Sequence, residues 1–439
     1  MTVIARRDVL KLLGAGALTA SCALTRKAAA AIPELRYRPE RGARLRFVRW
    51  RNQNQGDDDQ WMANTRKFTE QTGVPVQVEN ISLEEVWAKT AVSANIGAGP
   101  DIVMGAGGQP QLYADKCLDL TELADYLAAK YGGWYDAVRA CCVNDNRWIA
   151  VGIGFSTACV VYRQSMARAA GFGDIPRDLP GFLNLCQALK ARGTPPGLAL
   201  GNAPVDATIW CHWLMWAHGA RLVDEHNRVA INSEETIVAL EYAKQLYPTF
   251  VPGTLSWLDA SNNQAFLTGQ ISLTYNAISI YHFAKTSTAP GLKAIAEDIQ
   301  HAHLPIGPVG RPTELAVFAP AWIFSYTRFP NAAREYLRFM LEREQYEMWQ
   351  RKSLGYFSQP LRAYESDAMW AEDPKCTPFR DGPGMTLHAG YAGKVGAASA
   401  ACSAEFIVVN MVAEAATGKS TSHAAAARAE QRAQRYYKT

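Results

Sequence analysis

"GAGPDIVMGAGGQP" occupies residues 97–110. Its centre, Asp101-Ile102-Val103-Met104, reads as a short apolar strand, and it empties into Gly105-Ala106-Gly107-Gly108. A glycine-rich turn after a strand is a common place for free backbone N–H groups to meet phosphate. Two features speak against a nucleotide here. The sixth position of a dinucleotide pattern begun at Gly105 is Pro110, where Gly or Ala is needed, and the turn follows the third strand of its unit rather than the first. The glycines read instead as room for the backbone to approach a solute at a strand end, with Gln109 as a polar contact.

Working outward, strands and helices alternate. Leu45–Trp50 reads as strand one, and Asp57-Asp58-Asp59 as the cap of a helix running through Trp61 and Phe68 to Thr72, ended by Gly73. Strand two begins over Val74–Val78, and Leu83–Ile96 is helical. This alternation predicts a parallel, doubly wound α/β sheet. Downstream, residues 148–154 and 158–162 read as two strands with a bend at 155–157. Periodicity predicts helices over 179–192, 209–219, 234–247 and 331–351 and a terminal helix over 428–437, with a strand at 270–276.

The chain has 439 residues, 48% hydrophobic and 20% charged, which suits two or more domains with sizeable cores. Its start has a different character. Arg6 and Arg7 precede an apolar run, Leu12–Leu24, and then Ala28–Ala31. This resembles a twin-arginine signal peptide over residues 1–31, with cleavage near Ala30. A competing signal, Thr19-Ala20-Ser21-Cys22, makes Cys22 a candidate for lipidation. Of 45 basic and 41 acidic residues, five basic and one acidic lie in that segment, so 40 of each remain. A balanced charge gives no electrostatic case for nucleic acid or an anionic membrane. The nine cysteines form no C-x-x-C pair, and the eight beyond Cys22 read mostly as buried free thiols.

Several segments in order resemble the periplasmic solute-binding proteins of ABC importers, in the sugar and oligosaccharide class (extracellular solute-binding family 1, maltose-binding-protein-like). They are "FTEQTGVPVQVENI" (68–81), "AVSANIGAGPDIVM" (91–104), "VVYRQSMARAAGF" (160–172), "INSEETIVALEYAKQLY" (231–247), "NQAFLTGQISLTYNAIS" (263–279), "PNAAREYLRFMLEREQYEMW" (330–349) and "VNMVAEAATGKSTSHAAAARAEQRAQ" (409–434). The family commonly has Asn where Arg163 stands, and often Pro in the strand that here reads Val151-Gly152-Ile153-Gly154. The resemblance implies an α/β, two-lobed periplasmic-binding-protein fold of type II, its discontinuous lobes joined by hinge strands. After a spacer at 32–43, lobe one is expected at 44–152 plus 305–352, and lobe two at 153–304 plus 353–439. It further implies a monomeric, non-catalytic, periplasmic receptor that closes on a carbohydrate and delivers it to ABC permease subunits, with no cofactor and no metal.

Ligands of open α/β sheets sit beyond the carboxyl ends of the strands. Sugars need aromatic rings for their C–H faces and paired donors and acceptors for buried hydroxyls. The chain has 12 Trp. Trp50 and Trp257 have polar neighbours (Asn52 and Gln53; Asp259 and Asn262), and Trp210 and Trp322 fall near predicted element ends, whereas Trp87, Trp213 and Trp349 lie inside helical patterns and read as core. The candidate contacts are therefore Trp50, Asn52, Gln53, Gln109, Phe155, Ser156, Trp210, Trp257, Asn276, Trp322 and Tyr356. Phe155 and Ser156 are expected at the first lobe crossing and Tyr356 just after the last. Asn276 matches a position where the family often has Asn-Gly facing the ligand, although Ala277 replaces the Gly. His301 and His303 share a strand face but lack further ligands for a metal. Arg51 or Arg163 could pair a phosphate or carboxylate, which keeps a sugar phosphate or sugar acid open beside a polyamine. An exported carbohydrate-active enzyme is the competing class, but no spaced carboxylate pair, G-x-S-x-G or H-E-x-x-H motif marks one. A receptor that signals to a sensor kinase reads the same in sequence as one that feeds an importer.

Overall fold

The computed structural model describes residues 32–52 and 54–438, so the predicted signal residues Arg6 and Arg7, Cys22 and the contact Gln53 lie outside the described residues. Eight strands carry the two larger sheets: β1 (Leu45–Trp50), β2 (Val76–Ile81), β3 (Ile102–Met104), β4 (Val151–Ser156), β5 (Cys159–Arg163), β6 (Leu273–Asn276), β7 (Ile299–Ala302) and β8 (Val317–Ile323). The helices that bear on the cleft are α1 (Gln55–Thr72), α2 (Leu83–Ile96), α3 (Asp206–Ala217), α4 (Ser261–Leu267), α5 (Pro330–Met340), α6 (Arg343–Lys352) and α7 (Ala397–Ala404).

The first sheet has the order β2-β1-β3-β8-β4. β1 is parallel to β2, Phe47 facing Val78, and to β3, Phe47 facing Ile102. The chain thus leaves β1 to one side through α1 and crosses to the other through α2. That reversal opens a crevice at the carboxyl ends of β1 and β3. Local signals set the helices. Asn54 caps α1 by accepting from the Asp57 N–H, and Gly73 ends it at φ 72°. Ser82 and Glu85 form a capping box on α2. The predicted cap of α1 is corrected here. Asp57 and Asp58 sit in its first turn, and Asp57 is spent on a buried ion pair with Arg49 at 2.7 Å, where it also accepts from Asn52 and the Trp349 indole.

The sheet is not wholly parallel. β8 runs antiparallel to both β3 and β4, with a register shift at Ala319/Pro320, where proline has no N–H for the ladder. The second sheet, β6-β5-β7, is antiparallel throughout. Only Thr157 and Ala158 separate β4 from β5, so the chain changes sheet almost without a loop. It returns between β7 and β8. A third passage follows α6, where Ser358 bonds both ways to Phe155 (2.9 and 2.7 Å) before the chain goes on to Phe379, whose carbonyl accepts from the Ser358 hydroxyl. The expected lobe break at residue 152 falls inside β4, which stays hydrogen-bonded to β8 through Ser156.

Three further expectations differ from the structure. The predicted helix over 331–351 is two, α5 and α6, because Glu342 is extended at the junction and its carboxylate gathers Lys130, Tyr126 and Tyr131. The terminal helix is Ser422–Ala433, begun by Thr421, earlier than expected. From Leu35 onward the spacer is tied down: Glu335 accepts from the Tyr37 N–H, and Glu40 accepts from the Asn331 and Ala332 N–H groups, capping α5. The eight cysteines among the described residues are free and buried.

Candidate functional site

The glycine turn forms one wall. It runs back along β8, with the Gly105 N–H on Pro320 O (3.1 Å) and the Gly107 N–H on Phe318 O (2.7 Å). Gly107 holds φ 58°, and a Cβ on Gly105 would lie 2.2 Å from Gln109 Oε1 and 2.8 Å from the Trp322 ring. These two positions need glycine for conformation and for space. Gln109 is folded inward, and its Oε1 is buried without a partner.

Beside the turn stand Phe155 and Phe318, rings 5.2 Å apart. Pro204 and Thr208 at the start of α3, Leu387–Ala389, and Val395 with α7 residues Ser399, Ala400 and Ser403 complete the enclosure. Trp87 closes it from α2, and its indole N–H is buried without a partner. The cavity measures about 80 Å³.

Carboxylates gather at the N-terminus of α3. Asp259 accepts from the Val205 and Asp206 N–H groups at 3.2 and 3.0 Å. Asp206 is buried, and its Oδ2 has no partner. Burial, followed by the Asp259 charge, holds the Asp206 carboxyl well above the usual range. Burial likewise raises Asp259, to about 6, with Glu84 of α2 adding to the effect. Among the described residues neither has a basic ion-pair partner. Next to them the Tyr356 hydroxyl faces Ser156, its pKa pushed up by burial. The set offers a carboxyl able to donate as well as accept, and two hydroxyls.

The predicted contacts divide. Gln109 and Phe155 line the cavity. Ser156 and Tyr356 lie together at the crossing, with Trp50 packed edge-on against Tyr356 (6.3 Å) and Phe357 (5.7 Å). Asn52 borders a separate groove with Arg51, Asn80 and Phe283, its side chain spent on Asp57 and the Asn54 N–H. Asn276 is tied to Asn262 and Asn263. Arg163 pairs with Asp298 at 2.7 Å. His301 faces Lys375 O and His303 faces Glu314, and no group of three metal-binding side chains occurs among the described residues.

Two tryptophans, Trp210 and Trp322, are corrected. Trp210 is core: α3 is buried all round, and the Trp210 N–H bonds Ala199 O at 2.6 Å. Trp322 is fully buried in β8 behind Gly105. Trp257 lies half-buried over Gly197 and Ile271, beside a depression with Ser261 and Gln264 outside the cavity lining. Trp87, read as core, is the cavity's aromatic wall. The signal for it was positional, because the Ser82 cap puts Trp87 just past the first turn of α2, at the strand-end side of the sheet. The segment 387–403 carried no such signal.

Comparison with known proteins agrees with this architecture. The sequence matches the bacterial extracellular solute-binding protein family over residues 63–378. No match is found among curated proteins. Among solved structures, a sugar transporter protein of Arthrobacter chlorophenolicus A6 with bound laminaribiose superposes with TM-score 0.77 at 15% identity, covering 91% of this chain and 100% of that one. Maltose-bound MalE3 of T. maritima gives 0.76 at 17% identity, covering 89% and 99%. The GacH receptor of Streptomyces glaucescens GLA.O, solved unliganded and with acarbose, gives 0.74 at 16%, covering 90% and 99%. With two sheets joined by three passages, a cavity at the strand ends and a family match over most of its length, the chain belongs to the bacterial extracellular solute-binding proteins.

Proposed function

We propose that the protein captures a sugar or oligosaccharide between its two sheet-centred lobes and delivers it to the membrane permease of an ABC importer. Lobe one is residues 44–152 plus 305–352, extended through β4 to Ser156, and lobe two is the remainder of 153–304 plus 353–439. The observation that carries this reading is the enclosed cavity at the strand ends. Each half contributes to its walls, among them the Trp87 and Phe155 rings and the Gln109 side chain. Aromatic rings offer faces for the C–H groups of a sugar. The bound laminaribiose, maltose and acarbose of the structural relatives support a carbohydrate. The role is binding, with hinge movement at Thr157-Ala158 and its two companion passages admitting the solute. The same reading has the protein act in the periplasm as a monomer, exported by the twin-arginine route through Arg6 and Arg7, with Cys22 as the alternative lipid anchor.

A thermal-shift screen over mono- and oligosaccharides, glycosides, polyols, sugar phosphates, amino acids and polyamines tests it. A ligand at a hundred times its Kd adds about 2.7 kcal/mol to apparent stability. Saturable stabilisation by a carbohydrate is expected. Stabilisation by amino acids or polyamines alone overturns the reading.

A further inference from the structure

The cavity beside the glycine turn is chemically unlike a seat for a bare sugar ring. Its lining contains no Asp, Glu, Lys or Arg. Trp87, Phe155, Leu315, Phe318, Leu387 and Val395 supply most of its walls. The few polar side chains are largely spent within the protein. Thr208 donates to Ala203 O (3.3 Å), Ser399 to Gly396 O (3.0 Å) and Ser403 to Ser399 O (3.1 Å). Burial keeps the His388 imidazole neutral, with Nδ1 turned to Ala389 O. What remains is little: the Gln109 amide, the second ring nitrogen of His388 and the lone pairs of the three hydroxyls. A hexose brings several hydroxyls, each costly to bury unpaired. A flat apolar group with one or two polar atoms matches these walls better. The groups that could satisfy hydroxyls stand next door. Asp206 lies in sequence between the lining residues Pro204 and Thr208 and is held near Asp259, and Tyr356, whose hydroxyl faces Ser156, lies close enough to feel both carboxylates.

Resting on the sugar-binding reading, we propose that the solute is a glycoside with an apolar aryl or acyl substituent, which occupies this cavity while its sugar hydroxyls meet Asp206, Asp259, Ser156 and Tyr356. The cavity is thus the specificity-determining part of the site. It favours substituted over free sugars because burying apolar area is the contribution its walls can make.

Titration calorimetry on the full chain tests this with matched methyl and phenyl glycosides of glucose, galactose, xylose and maltose. In at least one pair the phenyl compound is expected to bind at least about tenfold tighter, with a more negative heat-capacity change. Two cavity-filling variants, Ala400→Leu and Ser403→Leu, locate the effect. Either one, once shown folded by an unshifted circular dichroism spectrum, should bring the phenyl affinity down to that of the methyl partner. Equal affinity within every pair overturns the inference and leaves sugar binding standing. So does a phenyl preference that survives filling. If no glycoside or sugar binds at all, the sugar-binding reading fails first and takes this inference with it. Should neither variant fold, the heat-capacity difference within the pairs decides, an equal value counting against the proposal.

Discussion

Trp87 lines the cavity and carries a polar group that the fold leaves unused. Its ring packs against the core while its N–H is buried with no acceptor. Trp87→Phe removes a donor the fold does not use. Sugar affinity is therefore expected to fall about five- to tenfold, the worth of one hydrogen bond, with Tm nearly unchanged. Equal losses of affinity and stability would mark Trp87 as a packing residue. The acids at the start of α3 make a separate prediction. Asp206 and Asp259 face each other, with Glu84, Tyr275 and Tyr356 as the further titratable neighbours, and both carboxyls have raised pKa values in the fold. The folded state then holds protons that the unfolded state has released. The pair's contribution to stability is greatest below the ordinary carboxylate range and is lost as pH rises through about 6 for Asp259, by at most about 3 kcal/mol, while carboxyls held low elsewhere, such as Asp298, Glu342 and Asp373, contribute with the opposite sign. Asp206→Asn removes the repulsion and should flatten this decline in a Tm series from pH 4 to 8. An unchanged slope would place the protons elsewhere.

Elements were legible in the sequence where local chemistry decides them. The alternation β1-α1-β2-α2-β3, the end of α1 at Gly73 and the strand before the glycine turn all follow from period and capping. What escaped depended on partners distant in sequence. Asp57 reads as a cap until Arg49 and Trp349 are brought against it, and residues 331–351 read as one helix until Glu342 meets Lys130 and two tyrosines. Trp210 and Trp322 escaped for the same reason. Both fall near predicted element ends, but only the packing of whole elements shows that their rings are core, and that Trp87, inside a helical pattern, lines the cavity. Two substitutions test the element-level account. Asp57→Ala strips the fully buried Arg49 of its closer partner where β1, α1 and α6 meet, leaving only Asp58 at 3.3 Å, and should cost up to about 3–5 kcal/mol in urea unfolding. Gly105→Ala forces a Cβ into Gln109 Oε1 and the Trp322 ring, and should cost about 1–3 kcal/mol. A neutral Gly105→Ala would mean that the turn is looser than its contacts indicate.

At the scale of the whole molecule, the order of weak motifs was enough to give the architecture, since each marks one element of a chain that passes between two sheets three times. The ligand seat was only half legible. Gln109 and Phe155 of the lining, with Ser156 and Tyr356 nearby, lie at strand ends and passages that topology alone identifies, while Pro204, the start of α3 and the segment 387–403 with α7 are brought to the cavity by connections whose paths no local pattern dictates. The central claim is that both halves grip one solute at that place. Peptide-level hydrogen exchange, with and without the carbohydrate returned by the binding screen, tests it most directly. The account predicts that slowed exchange is confined to peptides spanning residues 84–87, 105–112, 155–158, 204–208, 387–403 and those holding Asp259 and Tyr356, contributed by both halves at once. Protection restricted to one half, or centred on residues 261–270 and absent from the cavity walls, would contradict it.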